Sequence, residues 1–243
     1  MKKTVIVTGG GRGIGAATSR LLGKEGYAVC VNYRSDKISA EAVVADIQAE
    51  GGTAFACQGD VSDENEVMAL FDAAEQVLGP VTHLVNNAGI LFEQTLLAEM
   101  SLARFNQVLL TNVTSCFLCC REFVQRISQA GAIVNVSSAA ARTGAPFEYV
   151  DYAASKGAMD SLTKGLSLEV ASKGIRVNTV RPGFIHTDMH ADGGEPGRVA
   201  RLSPQIPMQR GGEPEEVAEA IVWLLSEKAS YVTGSSVDLA GGK

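Results

Sequence analysis

The sequence predicts one α/β domain, a doubly wound parallel sheet of about seven strands with helices on both faces. Three observations carry the prediction. Short β-branched runs alternate with longer helical segments along the chain, which implies right-handed βαβ units. Glycine or polar clusters follow the strands, at the carboxyl ends where ligands bind in such sheets. No linker, repeat or low-complexity tract interrupts residues 1–243, so the chain reads as a single domain.

Residues 3–8 (KTVIVT) are β-branched and apolar and predict a buried strand. Gly9-Gly10-Gly11-Arg12-Gly13-Ile14-Gly15 then leads into a helix over 16–25, which Gly26 stops. Strand, glycine turn and helix aim backbone N–H groups and a helix N-terminus at a phosphate. The spacing Gly9-x-x-x-Gly13-x-Gly15 differs from the usual dinucleotide fingerprint. With no Gly-Lys-Ser/Thr following, it differs from the ATP-binding P-loop as well. Taken alone, this segment is also compatible with a tight turn that holds nothing. A second strand spans 27–33 (YAVCVNY), and an amphipathic helix over 39–50 ends at Gly51-Gly52. The third strand, 53–58, turns at Gly59-Asp60-Val61 into a helix over 63–78 whose acidic first turn suits the dipole. Gly79-Pro80 breaks that helix, and the strand over 81–85 runs into Asn86-Asn87-Ala88-Gly89. Residues 101–129 are helical, with a break near Thr111-Asn112. The fifth strand, 131–136, ends in Ser137-Ser138, and a loop leads to a helix that runs to about Ser172. The sixth strand, 174–180, stops at Arg181-Pro182-Gly183. Residues 186–212 are rich in Gly, Pro and charge with little periodicity, which predicts a functional lid. A helix over 214–225 with Pro at its start and a strand over 235–239 complete the chain.

Composition narrows the function. The net charge of −6 argues against a nucleic-acid partner or an anionic membrane surface. No apolar run approaches a membrane span, and the one after Met1-Lys2-Lys3 is too short for a signal peptide, so a cytoplasmic protein is expected. Five cysteines, an odd number, fit a reduced compartment with Cys as a small apolar residue: Cys30 and Cys57 in strands, Cys116, Cys119 and Cys120 in a helix. Cys116-x-x-Cys119 lacks a second ligand pair. His186, Asp188, His190 and Asp192 could share a helical face, but a solvated or substrate-facing loop is the plainer account, so no metal is expected. His83 reads as structural.

The chemistry centres on Tyr152 and Lys156, four residues apart and so on one face of a helix. A free phenol has a pKa of about 10, and a nearby ammonium lowers it. The pair therefore suits acid/base work on a hydroxyl or carbonyl; alone, it is equally an ordinary exposed helix. Tyr149 has no Lys four residues later and reads as a pocket or packing residue. Ser137 and Ser138 adjoin on a strand end and face opposite ways, so only one reaches the site.

In one order the chain carries Thr8-Gly9-x-x-x-Gly13-x-Gly15, Asp60, Asn86-Asn87-Ala88-Gly89, Asn112, Ser138, Tyr152-x-x-x-Lys156 and Pro182-Gly183. In this it resembles the short-chain dehydrogenase/reductase family, whose fold is a Rossmann-type sheet. The resemblance runs from Lys3 to the terminal Asp238-Leu239-Ala240-Gly241-Gly242. The phrases NVSSAAAR, EYVDYAASKGA and PMQRGG bring it near uncharacterised bacterial oxidoreductases of the glucose-dehydrogenase-like group. It implies that Tyr152 donates or accepts the proton, and that Lys156 lowers its pKa and holds the nicotinamide ribose. Ser138 would hydrogen-bond the substrate oxygen, and Asn112 would hold a helix distortion and a relay water. The implied cofactor contacts come from Gly9, Arg12, Gly13, Ile14 and Gly15, then Asn32, Tyr33 and Arg34, then Asp60 and Val61. Asn87, Ala88 and Gly89, Tyr152 and Lys156, and Pro182, Gly183, Ile185 and Thr187 complete them. Where an NAD enzyme carries an acidic side chain, this chain has Asn32-Tyr33-Arg34-Ser35, with Asp36 expected past the strand and facing solvent. Arg34 offers a forked donor for a 2′-phosphate, and Arg12 approaches it from the other side. NADP(H) is thus the expected cofactor, with NAD(H) possible. The loop from Ser138 to Tyr152 is slightly longer than in the family, which bears on pocket shape.

The expected function is NADP(H)-dependent hydride transfer at a hydroxyl or carbonyl of a small polar or sugar-like substrate. One rival is reduction of a 3-oxoacyl thioester on an acidic carrier protein, for which Arg198, Arg201 and Arg210 are the candidate basic patch. The other is a dinucleotide-binding regulator without catalysis, which has no use for Asn112, Ser138, Tyr152 and Lys156 together. The resemblance also implies a homotetramer paired through the helix around 114–125, the Tyr152 helix and the last strand. The apolar run Cys116-Phe117-Leu118-Cys119-Cys120 suits a helix buried on more than one side.

Overall fold

The computed structural model describes residues 3–243; Met1 and Lys2, half of the basic start, lie outside them. Its strands are β1 (Thr4–Val7), β2 (Ala28–Tyr33), β3 (Thr53–Gln58), β4 (Val81–Asn86), β5 (Gly131–Val136), β6 (Ile175–Pro182) and β7 (Ser236–Leu239). All pair in parallel, in the order β3-β2-β1-β4-β5-β6-β7. The chain begins mid-sheet, winds out to β3, and returns to continue from β4. The winding reverses between β1 and β4, the switch point where a doubly wound sheet opens a ligand crevice at the carboxyl ends of its strands.

Alternation along the strands builds two cores. Val5 and Val7 of β1 face one side with Val29, Val31 and Val134, under α1 (Gly13–Lys24), α2 (Lys37–Ala49) and α10 (Pro214–Leu225). Ile6 faces the other with Cys30, Leu84 and Ile133. There it meets Phe71 of α3 (Glu64–Leu78), Phe123 of α5 (Ser115–Arg126) and Met159 of α7 (Val150–Val170). Burial on both faces explains why these strands read as continuous apolar runs. Between β4 and α5 lies α4 (Leu102–Leu109), and three short helices complete the chain: α6 (Ala140–Thr143), α8 (Met189–Asp192) and α9 (Arg198–Leu202).

The boundaries differ from expectation in instructive places. Helix α1 starts at Gly13, three residues before the expected start, because its first turn is made of glycines that read as loop. The 101–129 region divides into α4, a π-turn over Leu110–Thr114 and α5, so the break expected near Thr111-Asn112 is a π-bulge inside a continuous helix. It also ends at Arg126, where Ile127 turns extended. Arg181 and Pro182 do not stop β6; they pair with Asp238 and Leu239 of β7. Residues 186–212 are not structureless: α8, α9 and a 3-10 turn at Ser203–Gln205 are each too short to give a sequence period. Among the described residues no helix is long and apolar enough to cross a membrane. All five cysteines are free.

Candidate active site

The glycine turn closes the bottom of a groove at the switch point. Gly9 and Gly13 hold positive φ, +59° and +50°. A Cβ on Gly15 would lie 2.3 Å from the Gly9 carbonyl oxygen, so chain and helix approach as only glycine allows. Arg12 occupies the N-cap of α1 without a side-chain cap bond, and the helix opens onto the groove with its N–H dipoles. Cross-strand bonds fix the turn. Asn32, buried on β2, accepts from the Gly9 N–H (3.3 Å) and donates to the Gly59 carbonyl (3.0 Å). Asn87 donates to the carbonyls of Thr8 and Gly9, each at 3.0 Å. Thr8 Oγ1 accepts from the N–H groups of Asn87 and Ala88, a role the sequence reading missed because Thr8 looks like one more strand residue. Asn32 and Asn87 are therefore braces, their amides engaged with backbone while they line the groove.

Of the expected cofactor residues, Arg12, Ile14, Tyr33, Arg34, Asp60, Val61, Ala88, Gly89 and Thr187 also line this groove. Asp60 accepts from the N–H and hydroxyl of Ser62 (3.0 and 2.6 Å), which keep its carboxyl below the usual range against the opposing effect of burial. Asp36 caps α2 through Ser39 and is exposed, as expected. The Ser39 bonds hold its carboxyl below the usual range. A phosphate-sized approach left open by glycine, an uncapped helix N-terminus and two arginines at the rim fit a dinucleotide phosphate.

Next to the groove lies a cavity of about 540 Å³ that shares Ile14, Asn87, Thr187 and Met189 with it. Ser138, Tyr152 and Lys156 line its wall with Pro182, Gly183 and Ile185. The neighbouring Ser137 donates its hydroxyl to the Lys156 carbonyl (3.1 Å), which leaves Ser138 as the serine beside Tyr152. Burial pushes the Tyr152 phenol up to about 12, and the Ser138 hydroxyl pulls the other way. Lys156 is not paired with the phenol. Its Nζ lies 5.6 Å from the Tyr152 ring centroid and donates to the Val136 carbonyl (2.7 Å). Burial pushes that ammonium down to about 8, with Cys116 and Asp160 opposing. The expected depression of the Tyr152 pKa by Lys156 is thus missing from this arrangement, because the ammonium serves a backbone carbonyl instead.

Asn112 sits fully buried in the π-bulge. It accepts from the Ile90 N–H (2.8 Å) and donates to the Ile90 carbonyl and the Ser155 hydroxyl, each at 3.0 Å. The bulge thereby ties the loop after β4 to the Tyr152 helix. A buried pair that sequence reading missed anchors the same helix: Arg104 of α4 donates to Asp151 (2.7 Å), which also accepts from the Tyr152 N–H (2.8 Å).

The far wall of the cavity belongs to 186–212. Arg198 is buried, paired with Glu148 and with Glu195 (3.2 Å), and packs on the rings of Tyr149 and Phe184. Tyr149 donates weakly to the Gly193 carbonyl (3.5 Å), consistent with a wall residue. Leu91, Phe184 and Lys243 complete the wall from distant parts of the chain, and no local pattern announces them. Among the described residues no cluster suits a metal. His83, between Thr82 and the Tyr27 ring, is buried beneath the sheet's other end.

Comparison with known proteins adds to this geometry. A family model described as enoyl-(acyl carrier protein) reductase matches residues 9–243. The uncharacterised oxidoreductase YgfF of Escherichia coli K12 is 63% identical over 243 residues, 98% of each chain. The 3β-hydroxysteroid dehydrogenase 1 of Eggerthella lenta is 42% identical, covering 99% of this chain and 93% of its own. Among solved structures, a dehydrogenase/reductase from Sinorhizobium meliloti 1021 superposes with a TM-score of 0.93 at 34% identity, over 99% of this chain and 94% of that one.

Proposed function

The chain belongs to the short-chain dehydrogenase/reductase family of NAD(P)-dependent oxidoreductases, and we propose that it prefers NADP(H) and acts on a hydroxyl or carbonyl of a small polar or sugar-like substrate. One observation carries the reading: the Ser138 and Tyr152 hydroxyls share the wall of a cavity that opens directly onto the glycine-floored groove. The nicotinamide cofactor supplies or accepts the hydride. In the reductive direction negative charge grows on the carbonyl oxygen, and two hydroxyls aimed at it stabilise that charge while Tyr152 delivers the proton. Lys156, held by the Val136 carbonyl beside the Tyr152 ring, would hold the nicotinamide ribose. Arg12 and Arg34 at the rim support NADP(H).

The carrier-protein rival keeps part of its basic patch: Arg198 is buried against Glu148, while Arg201 and Arg210 stay half exposed though paired with Glu195 (2.5 Å) and Glu216 (2.6 Å). A second reading has an observation in its favour. Leu91, Pro146, Tyr149, Phe184 and Leu202 give the cavity an apolar side that suits an alicyclic ketone, and a steroid dehydrogenase is among the relatives. The deciding experiment is a screen of sugars, polyols, alicyclic ketones and a 3-oxoacyl thioester, in both directions with both cofactors. The proposal expects turnover with a sugar or polyol and a higher kcat/KM with NADP(H). Turnover of the thioester or the alicyclic ketones alone replaces it.

A homotetramer also belongs to this proposal. Supporting it, Leu102, Leu110 and Phe117 on the α4–α5 stretch and Leu168 on α7 are large apolar side chains left exposed. The five free cysteines suit a reducing cytoplasm.

A further inference from the structure

Arg12 lies between two carboxylates across the mouth of the cofactor groove. On one side is Asp36, which lines the same groove and whose carboxyl the Ser39 bonds hold down, with the Arg12 charge lowering it further. On the lid side is Asp192, the last residue of α8, whose carboxylate lies 3.8 Å from Arg12 Nη2. Both partners of the Arg12–Asp192 pair are more than half exposed, and both line the groove. The lid is thus joined to the glycine turn by an ion pair through one of the two arginines expected to meet a 2′-phosphate. Thr187, just before α8, packs over Gly13, so the contact has a fixed base.

We infer that Asp192 is a cofactor-selectivity residue: its carboxylate competes with the 2′-phosphate for Arg12 and so reduces the preference for NADP(H). The inference rests on the proposed reading that Arg12 meets that phosphate. A dianionic phosphate outbids one carboxylate for a guanidinium but must first displace it, and it also meets the repulsion of the Asp192 charge. NAD(H), with hydroxyls at that position, meets neither effect. Reciprocity follows: bound NADP(H) releases Asp192 from the glycine turn, whereas NAD(H) leaves the pair intact.

The test is equilibrium binding of NADP+ and NAD+ by calorimetry to the wild type, Arg12→Ala, Asp192→Asn and, as a charge control, Asp188→Asn, whose residue lines the same groove. Asp192→Asn should lower the Kd for NADP+ by about two- to fivefold, the range an exposed ion pair represents, and leave that for NAD+ unchanged. Asp188→Asn should do less, and Arg12→Ala should weaken NADP+ selectively. If Arg12→Ala weakens NADP+ while Asp192→Asn changes nothing, tightens both cofactors alike or weakens NADP+, the competition is wrong though the phosphate reading stands. An equal gain in Asp188→Asn overturns it too, since the effect is then the general field. An Arg12→Ala variant that does not discriminate removes Arg12 from the phosphate reading, leaving Arg34 alone, and overturns this inference with it.

Discussion

A phenol is protonated at neutral pH, and burial pushes that of Tyr152 further up, to about 12, with the Ser138 hydroxyl opposing. Tyr152→Phe removes that hydroxyl and leaves Ser138 and the glycine cradle intact. It should lower kcat by about 10²- to 10⁴-fold, the usual contribution of a positioned acid, with cofactor affinity unchanged by fluorescence titration. Tyr149→Phe loses one weak bond to the Gly193 carbonyl and should cost far less; the reverse ranking would move the catalytic role to Tyr149. His83 gives a second prediction, on stability. Burial pushes it down to about 3, reinforced by the nearby Lys3 and Arg176 charges. Between that value and the ordinary pKa of about 6.5, the unfolded chain binds a proton that the folded one refuses, so stability falls as pH drops through this window. Urea unfolding should show a loss of about 2 kcal/mol from this group between about pH 7 and pH 5. His83→Asn should flatten that slope, and an unchanged slope would assign the acid sensitivity elsewhere. The glycine turn was legible because it depends on spacing within a few residues. The bracing role of Asn32 was not, since its amide joins Gly9 and Gly59, which only the pairing of three strands brings together.

At the scale of elements, the 186–212 segment is pinned more firmly than a stretch rich in glycine and charge suggests. Glu195 gathers Gln94 (2.6 Å), Arg198 and Arg201, and those bonds, Arg201 first, hold its carboxyl down to about 2. Arg198 carries the buried end of the network to Glu148, just ahead of the Tyr152 helix. Truncating one partner of a buried pair strands the other's charge. Arg198→Met should therefore loosen α9, raise KM by about tenfold with a smaller change in kcat, and make 186–212 the first site of limited proteolysis. Cofactor with substrate should slow cleavage there in the wild type; a variant cut no faster than the wild type would show that the network does not hold the lid. Sequence reading could place this segment between β6 and α10 but not see its order, because the bonds reach outside it to Gln94 and Glu148. The π-bulge was half legible. Thr111-Asn112 interrupts an apolar helix visibly, yet the reason for the interruption is Ile90 and Ser155, remote in sequence.

At the scale of the whole molecule, the parallel sheet with helices on both faces followed from βαβ alternation, whereas the strand order β3-β2-β1-β4-β5-β6-β7 did not, since right-handed crossovers allow more than one order. Surfaces are a different matter. The run Cys116-Phe117-Leu118-Cys119-Cys120 was expected to be buried on more than one side, and α5 does bury Cys116, Leu118, Cys119 and Cys120 against the sheet. Phe117 points outward at 44% exposure, with Arg121 packed on its ring, and Leu110, about two turns before it, is exposed too. Leu168 extends the apolar surface onto α7, the helix of Tyr152. Large apolar side chains on neighbouring long helices are costly to leave in water, and a second copy meeting them about a twofold axis would bury the patch against the same patch of its partner. Since α5 continues from Asn112's bulge and α7 carries Tyr152, such pairing would also stiffen the cavity wall. Light scattering at micromolar concentration should therefore give a mass well above that of the 25.5 kDa chain. Phe117→Glu places a charge at the centre of the apolar patch, where an interface tolerates it least, and should shift the mass downward by tenfold or more in concentration, about 1.4 kcal/mol at minimum. Its kcat should fall with the loss of assembly and recover as protein concentration rises. A wild type that is monomeric at every concentration would show that this surface is open in solution, and a Phe117→Glu variant of unchanged mass would place the contact elsewhere on the molecule.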